Sequence, residues 1–154
     1  MKLFLSTTVN KVDRKGRVSV PAGFRTVLAA NTTPGVFVFP SFHGACIMGV
    51  GSDEMERLAD GTESFAAFSP EHEDAARLIF GATHHLNWDE TGRILLPAEL
   101  REHAGIDDQA AFVGVGKRFE IWHPERHREA RDTARQRAVE TKLSIPMPGS
   151  GGAK

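Results

Sequence analysis

Most of what would mark a secreted, disulfide-stapled or membrane-embedded chain is missing from this sequence. One cysteine, Cys46, stands in 154 residues, which excludes a disulfide framework and a multi-thiolate zinc site within one chain. No apolar run approaches the roughly 18 residues a membrane helix needs. Only Leu3-Phe4-Leu5 follows Lys2 before polar residues begin, too short for a secretory signal, so a cytoplasmic chain is expected. Net charge is nearly absent too, at −1. Hydrophobic content of 40% and charged content of 25% are those of a globular chain and exclude wholesale disorder.

The near-zero total hides an uneven distribution. Residues 1–30 carry six lysines and arginines against Asp13 alone, and residues 31–50 carry no charge. Residues 51–74 carry eight acids against Arg57, and residues 125–154 carry seven basic groups against four acids. Fields act locally, over about a Debye length of ~10 Å, so a neutral total does not argue against an anionic partner.

An internal repeat is the strongest feature. Residues 13–25, DRKGRVSVPAGFR, match residues 89–101, DETGRILLPAELR, in register 76 positions apart. The identities are Asp13/Asp89, Gly16/Gly92, Arg17/Arg93, Pro21/Pro97, Ala22/Ala98 and Arg25/Arg101. A looser continuation aligns Val36–Val38 with Ala111–Val113, and Ala45–Met48 with Phe119–Trp122. Two copies point to a pseudo-symmetric pair rather than an array.

Each copy reads as strand, turn, strand, helix and two further strands. Residues 7–12 and 17–20 are rich in Thr and Val, as short strands are. Asp13–Gly16 is the turn between them: Asp bonds nearby amides and Gly accepts positive φ. Pro21 cannot donate to a ladder and suits a helix start, which predicts a helix over Ala22–Leu28. The second copy predicts a helix over Ala98–Ala104 stopped by Gly105. Neither copy alone should bury a sufficient core, so one is expected to pack against the other. Between them, residues 52–60 and the segment opened by Ser69-Pro70 predict two short helices. Pro124 opens another, running to about Lys142, with Arg128, Arg131 and Arg135 on one face.

This pair of D-x-x-G-R-hydrophobic-x-hydrophobic-P-A motifs, with Phe119-Glu120-Ile121-Trp122 late in the chain, resembles the MraZ family. The resemblance covers roughly residues 3–125. It implies an α+β fold: two tandem AbrB-like (SpoVT-AbrB) swapped-hairpin β modules forming a pseudo-symmetric small barrel, with a helical insert and a C-terminal helix. The expected organisation is module 1 at 7–52, insert at 53–81, module 2 at 82–125, helix at 126–142 and a disordered tail at 143–154. The implied function is that of a bacterial DNA-binding transcriptional regulator, a repressor, acting at the nucleoid. Its partners would be repeated operator elements in double-stranded DNA before the division and cell-wall genes, and copies of itself in a ring-shaped homo-oligomer. No cofactor, metal, membrane or small-molecule substrate is implied. The non-regulatory alternative is an AbrB-like antitoxin or protein-interaction module, with the Arg-rich C-terminal helix serving a protein partner.

The residues fit DNA chemistry. Arg14, Lys15 and Arg17 crowd a hairpin tip around Gly16, and guanidinium forks suit phosphates and the guanine edge. Gly16 is expected to let the backbone approach a ligand, and Asp13 to orient Arg17, or else merely to fold it back into the turn. In the second turn Asp89 and Gly92 hold the same places beside Arg93. That turn has no lysine and sums to −1 against +2, so Arg93 is expected to contribute more weakly. Arg25 and Arg101 are expected as exposed helix residues in local ion pairs. Catalytic readings are poor: Gly114-Val115-Gly116 lacks the third glycine of a dinucleotide loop, and His123 and His127 lack the H-E-x-x-H arrangement. Cys46 in an apolar strand reads as a small buried hydrophobe, and no nucleophile–base–orienter set is evident, so no enzyme is expected.

Overall fold

The computed structural model describes residues 1–149; positions 150–154 of the expected tail lie outside the described residues. The first compact unit runs from Met1 to Pro124. Its first repeat contains β1 (Thr7–Lys11), β2 (Arg17–Ser19), α1 (Ala22–Ala29), β3 (Val36–Pro40) and β4 (Ile47–Val50). Two helices follow, α2 (Ser52–Thr62) and α3 (Pro70–Leu78). The second repeat contains β5 (His84–Leu86), β6 (Arg93–Leu95), α4 (Ala98–Ala104), β7 (Gln109–Gly114) and β8 (Phe119–Trp122).

The local signals act as their chemistry requires. Pro21 and Pro97 stand immediately before α1 and α4. The Ser69 hydroxyl accepts the His72 N–H at 3.2 Å and caps α3. Gly105 ends α4 in the left-handed region, at φ 64°.

The strands of the two repeats interleave. One sheet has the order β1-β7-β8-β4-β3-β5, and β2 pairs only with β6 in a separate ribbon. Each repeat's first strand thus pairs with the other's third, and the order reads the same under exchange of the repeats. The α+β class and tandem modules expected from the motif are present. The barrel is open rather than closed, with β1 and β5 as edges. The three-residue strands β2 and β6 are consumed by each other, and a single bridge between Val12 and Val18 ties the ribbon back toward β1.

Register also corrects the looser part of the repeat alignment. Val18 faces its counterpart Ile94 at the centre of the ribbon. In the sheet, Met48 faces Glu120 at the centre of the β4–β8 pair, so β4 matches β8 at a spacing of 72, not the 74 suggested by Ala45–Met48 against Phe119–Trp122. Val38 lies opposite His84 as Phe112 lies opposite Thr8, which sets β3 against β7 at 74. The first repeat carries two extra residues before β3 and two more before β4. Sequence similarity slid across these loops because both strands are simply apolar.

The main core draws on both repeats: Val18, Val20, Phe24 and Leu28 pack with Ile94, Leu96, Leu100, Phe112, Phe119 and Ile121. Phe119 is central, 5.0 Å from the rings of both Phe4 and Phe24. It lies across Gly49, where a Cβ would overlap its ring. Burial of one such side chain contributes about 1.5–3 kcal/mol. Neither repeat closes this core alone. A second cluster, Phe39, Val50 and Ile79 with Met55 and Leu58, seats the insert against β3 and β4.

From Glu125 onward the chain forms a second unit. Its helix α5 (Pro124–Thr141) has no buried residue, and residues 143–149 form neither helix nor strand.

Candidate nucleic-acid interface

Both D-x-x-G-R turns close in the same way. Asp13 Oδ1 accepts the backbone N–H of Lys15 at 2.9 Å and of Arg17 at 2.8 Å, while Oδ2 accepts Arg17 Nε at 2.7 Å. The Gly16 N–H reaches the Asp13 carbonyl at 3.0 Å. In the second turn Asp89 Oδ1 takes the Thr91 and Arg93 N–H groups at 2.9 and 3.0 Å, and Oδ2 takes Arg93 Nε at 3.1 Å. The Thr91 hydroxyl adds a further bond to Asp89 at 2.8 Å. Gly16 and Gly92 occupy positive φ, 93° and 81°, where a side chain would be strained.

These bonds go to ionised carboxylates and lower their pKa. Asp13 is held below its ordinary range, by the Arg17 backbone N–H first and then the Arg17 side chain. Asp89 is held at about 2, by the Arg93 backbone N–H first and then by Thr91. Folding back onto aspartate and facing outward are compatible for each arginine. Nε of each arginine is committed to the turn, as is Nη2 of Arg93 at 3.1 Å from Asp89 Oδ2, and the side chains remain 38% exposed at Arg17 and 37% at Arg93.

The ribbon brings the two turns together. Arg17 lies opposite Leu95, and Arg93 opposite Ser19. The two arginines are therefore diagonal neighbours on one face, about 7–8 Å apart at Cα. Val18 and Ile94 point the other way into the core. Ser19 and Leu95, exposed on the same face as the arginines, are members of it that the motif does not single out. Arg14 and Lys15 are exposed at the tip of the first turn, where the second turn has Glu90 and Thr91.

Arg25 and Arg101 differ from expectation. Neither forms an ion pair among the described residues, and both are half-buried. Arg101 Nε donates to the Leu96 carbonyl at 3.1 Å, and Arg25 Nε to that of Val20 at 3.1 Å. Each guanidinium then lies over the glycine of the other repeat's turn. A Cβ on Gly16 would meet Arg101 at 2.8 Å, and one on Gly92 would meet Arg25 at 2.8 Å. The space beside Gly16, expected to admit a ligand, is filled by Arg101. The arginines' recurrence in both motifs is visible in the sequence, but their partners lie in the opposite repeat, beyond the reach of local reading.

Other groups do not assemble into chemistry. Cys46 is buried, and desolvation pushes its thiol up to about 12, leaving it protonated. His84 meets Glu99 at 2.7 Å, while His85 meets the Pro34 carbonyl and stacks on Phe37. Among the described residues no three His, Cys, Asp or Glu side chains converge as metal ligands, and no helix is long and apolar enough to cross a membrane.

Known proteins are similar to this chain in sequence. The family model described as "MraZ protein, putative antitoxin-like" matches residues 79–143. The chain is 41% identical over 145 residues to the Transcriptional regulator MraZ of Rickettsia canadensis (strain McKiel), covering 94% of this chain and 97% of that protein. It is 40% identical over 146 residues to the Transcriptional regulator MraZ of Rickettsia bellii (strain OSU 85-389), with the same coverage of each.

Proposed function

The chain belongs to the MraZ family, and from that premise we propose that it is a non-enzymatic transcriptional regulator that binds double-stranded DNA through the β2–β6 ribbon. The observation that carries this reading is the exposed ribbon face, where Arg17 and Arg93 stand side by side with Arg14 and Lys15 at one end. A two-stranded ribbon is narrow enough to enter a major groove about 12 Å wide. In that position the terminal nitrogens of Arg17 and the remaining terminal nitrogen of Arg93 meet base edges or phosphates, and Arg14 and Lys15 meet phosphates. Asp13, Asp89, Gly16 and Gly92 hold the turns in shape. The protein acts in the cytoplasm, at the nucleoid, as a repressor at the division and cell-wall genes.

One ribbon offers few basic groups, and specific sites need a larger contact. Several copies in a ring, each presenting one ribbon to repeated operator elements, supply it through effective concentration. The insert supports self-association. A groove of about 460 Å³ between α2 and α3 is lined by Phe42, Leu58, Phe65 and Leu78, with much of that apolar surface exposed.

The decisive experiment is a gel shift on the DNA upstream of the chain's own gene. Binding should weaken steeply with salt, and sedimentation should give a mass several times 16.8 kDa. Affinity should collapse on a single operator element. A monomer that binds one element as tightly as several refutes the ring. Failure to shift any duplex refutes the DNA reading and favours the antitoxin or interaction alternative, for which the Arg-rich helix α5 would be the contact.

A further inference from the structure

The two turns are not independent, because each is held by the other repeat. From the cross-repeat contacts of Arg25 and Arg101 we infer that these arginines are positioning residues: Arg101 sets the first turn for DNA, and Arg25 sets the second. The Gly16 carbonyl accepts the Leu96 N–H at 3.0 Å, and the Leu96 carbonyl accepts Arg101 Nε at 3.1 Å. Arg101 then folds over Gly16 itself, within 3.0 Å of where a Cβ would stand. Gly16, Leu96 and Arg101 form a closed bracket around the base of the first turn. Gly92, Val20 and Arg25 form its counterpart, with bonds of 2.9 and 3.1 Å.

This arrangement is costly unless it has a use. A half-buried guanidinium without a carboxylate partner loses hydration, and a glycine at positive φ limits the chain to one residue type there. Both features occur twice, at matching positions, and both serve one geometry. The guanidinium is planar and fits flat against a backbone lacking Cβ, and its Nε fixes it from the carbonyl side. Arg17 follows Gly16 directly, so the bracket sets the direction from which Arg17 leaves the turn. Arg101 acts on DNA through Arg17, and Arg25 through Arg93.

The inference rests on the DNA-binding reading, and its test separates the two. Hydrogen–deuterium exchange on the full chain, without DNA, should show the 13–17 segment exchanging about tenfold faster in Arg101→Gln, as for removal of one hydrogen bond made by a charged group. The 89–93 segment should be unchanged. Arg25→Gln should give the mirror image. On operator DNA, Arg101→Gln combined with Arg17→Ala should lose clearly less than the two single losses added together, whereas Arg25→Gln combined with Arg17→Ala should lose their full sum. Should Arg101→Gln fail to fold, Arg101→Lys keeps charge and stem but lacks the planar Nε donor, and must show the same selectivity. Equal effects on both turns, no effect on either, or wild-type DNA affinity with a loosened first turn overturns the inference. A wild-type protein that ignores DNA refutes the function and leaves the exchange comparison to decide the bracket.

Discussion

The two D-x-x-G-R turns share a skeleton and differ in charge. Each has an aspartate taking two backbone N–H groups, a glycine at positive φ, and an arginine bound through Nε. Each is capped by an arginine from the opposite repeat. Yet the first turn exposes Arg14 and Lys15, and the second exposes Glu90 and Thr91. Internal bonding therefore explains the residues common to both turns, and the remaining two positions are free to set the field each turn presents. A pseudo-symmetric fold thus presents an asymmetric surface.

Whether the asymmetry reaches function is tested most strongly at Arg17. Arg17→Ala should lower affinity for operator DNA about five- to 150-fold, the range of one good bidentate pair, and reduce the salt slope by about 0.9 for each phosphate no longer neutralised. Arg93→Ala should cost under about tenfold, since Glu90 repels phosphate nearby. Equal losses in a salt-resolved titration would make the two turns equivalent partners for DNA. Next in size, Gly16→Ala and Gly92→Ala should each destabilise the fold by about 1–3 kcal/mol, from positive-φ strain together with displacement of the covering arginine. Thermal unfolding should show similar losses for the pair while DNA binding falls further for Gly16→Ala. A large difference in melting temperature would break the structural equivalence.

Smaller still, Lys15→Thr should weaken DNA binding about three- to tenfold, while Glu90→Ala changes it by less than about twofold. The reverse order would make the second turn the principal contact. The finest comparison is acid titration. Hydrogen bonds to the ionised form depress both aspartates, so their support of the turns is complete above the ordinary value of 3.8 and is lost as pH falls through the folded value, about 2 for Asp89. Asp13 is lowered by the same kind of bonds, so both turns should hold until the pH falls below 3.8. Carboxyl resonances followed by NMR should both titrate below 3.8, and an Asp89 that titrates at its ordinary value would show that the Arg93 and Thr91 bonds do not strengthen the second turn.

Much of the fold is legible because the motif is dense in residues with one conformational use. Asp, Gly and Pro at fixed spacing place both turns, the ends of β2 and β6, and the starts of α1 and α4. The apolar strands carry no such punctuation. Alignment of β4 with β8 slips by two positions there, and only hydrogen-bond register restores it. Arg25 and Arg101 escape local reading for a related reason. An arginine on a short helix looks solvated until the element packed against it is known.

The two-repeat plan, the chemistry of each turn and the contrast in charge between them are already fixed by the order of the residues. They follow from side chains acting on backbone within four or five residues, where covalent spacing sets what meets what. The folded chain alone settles that the repeats interleave, that Arg17 and Arg93 share one face, and that each turn is held by an arginine from the other repeat. Those contacts join residues many tens of positions apart. They arise only when neither repeat can bury its own apolar strands and the two must close a single core around Phe119, Val18 and Ile94.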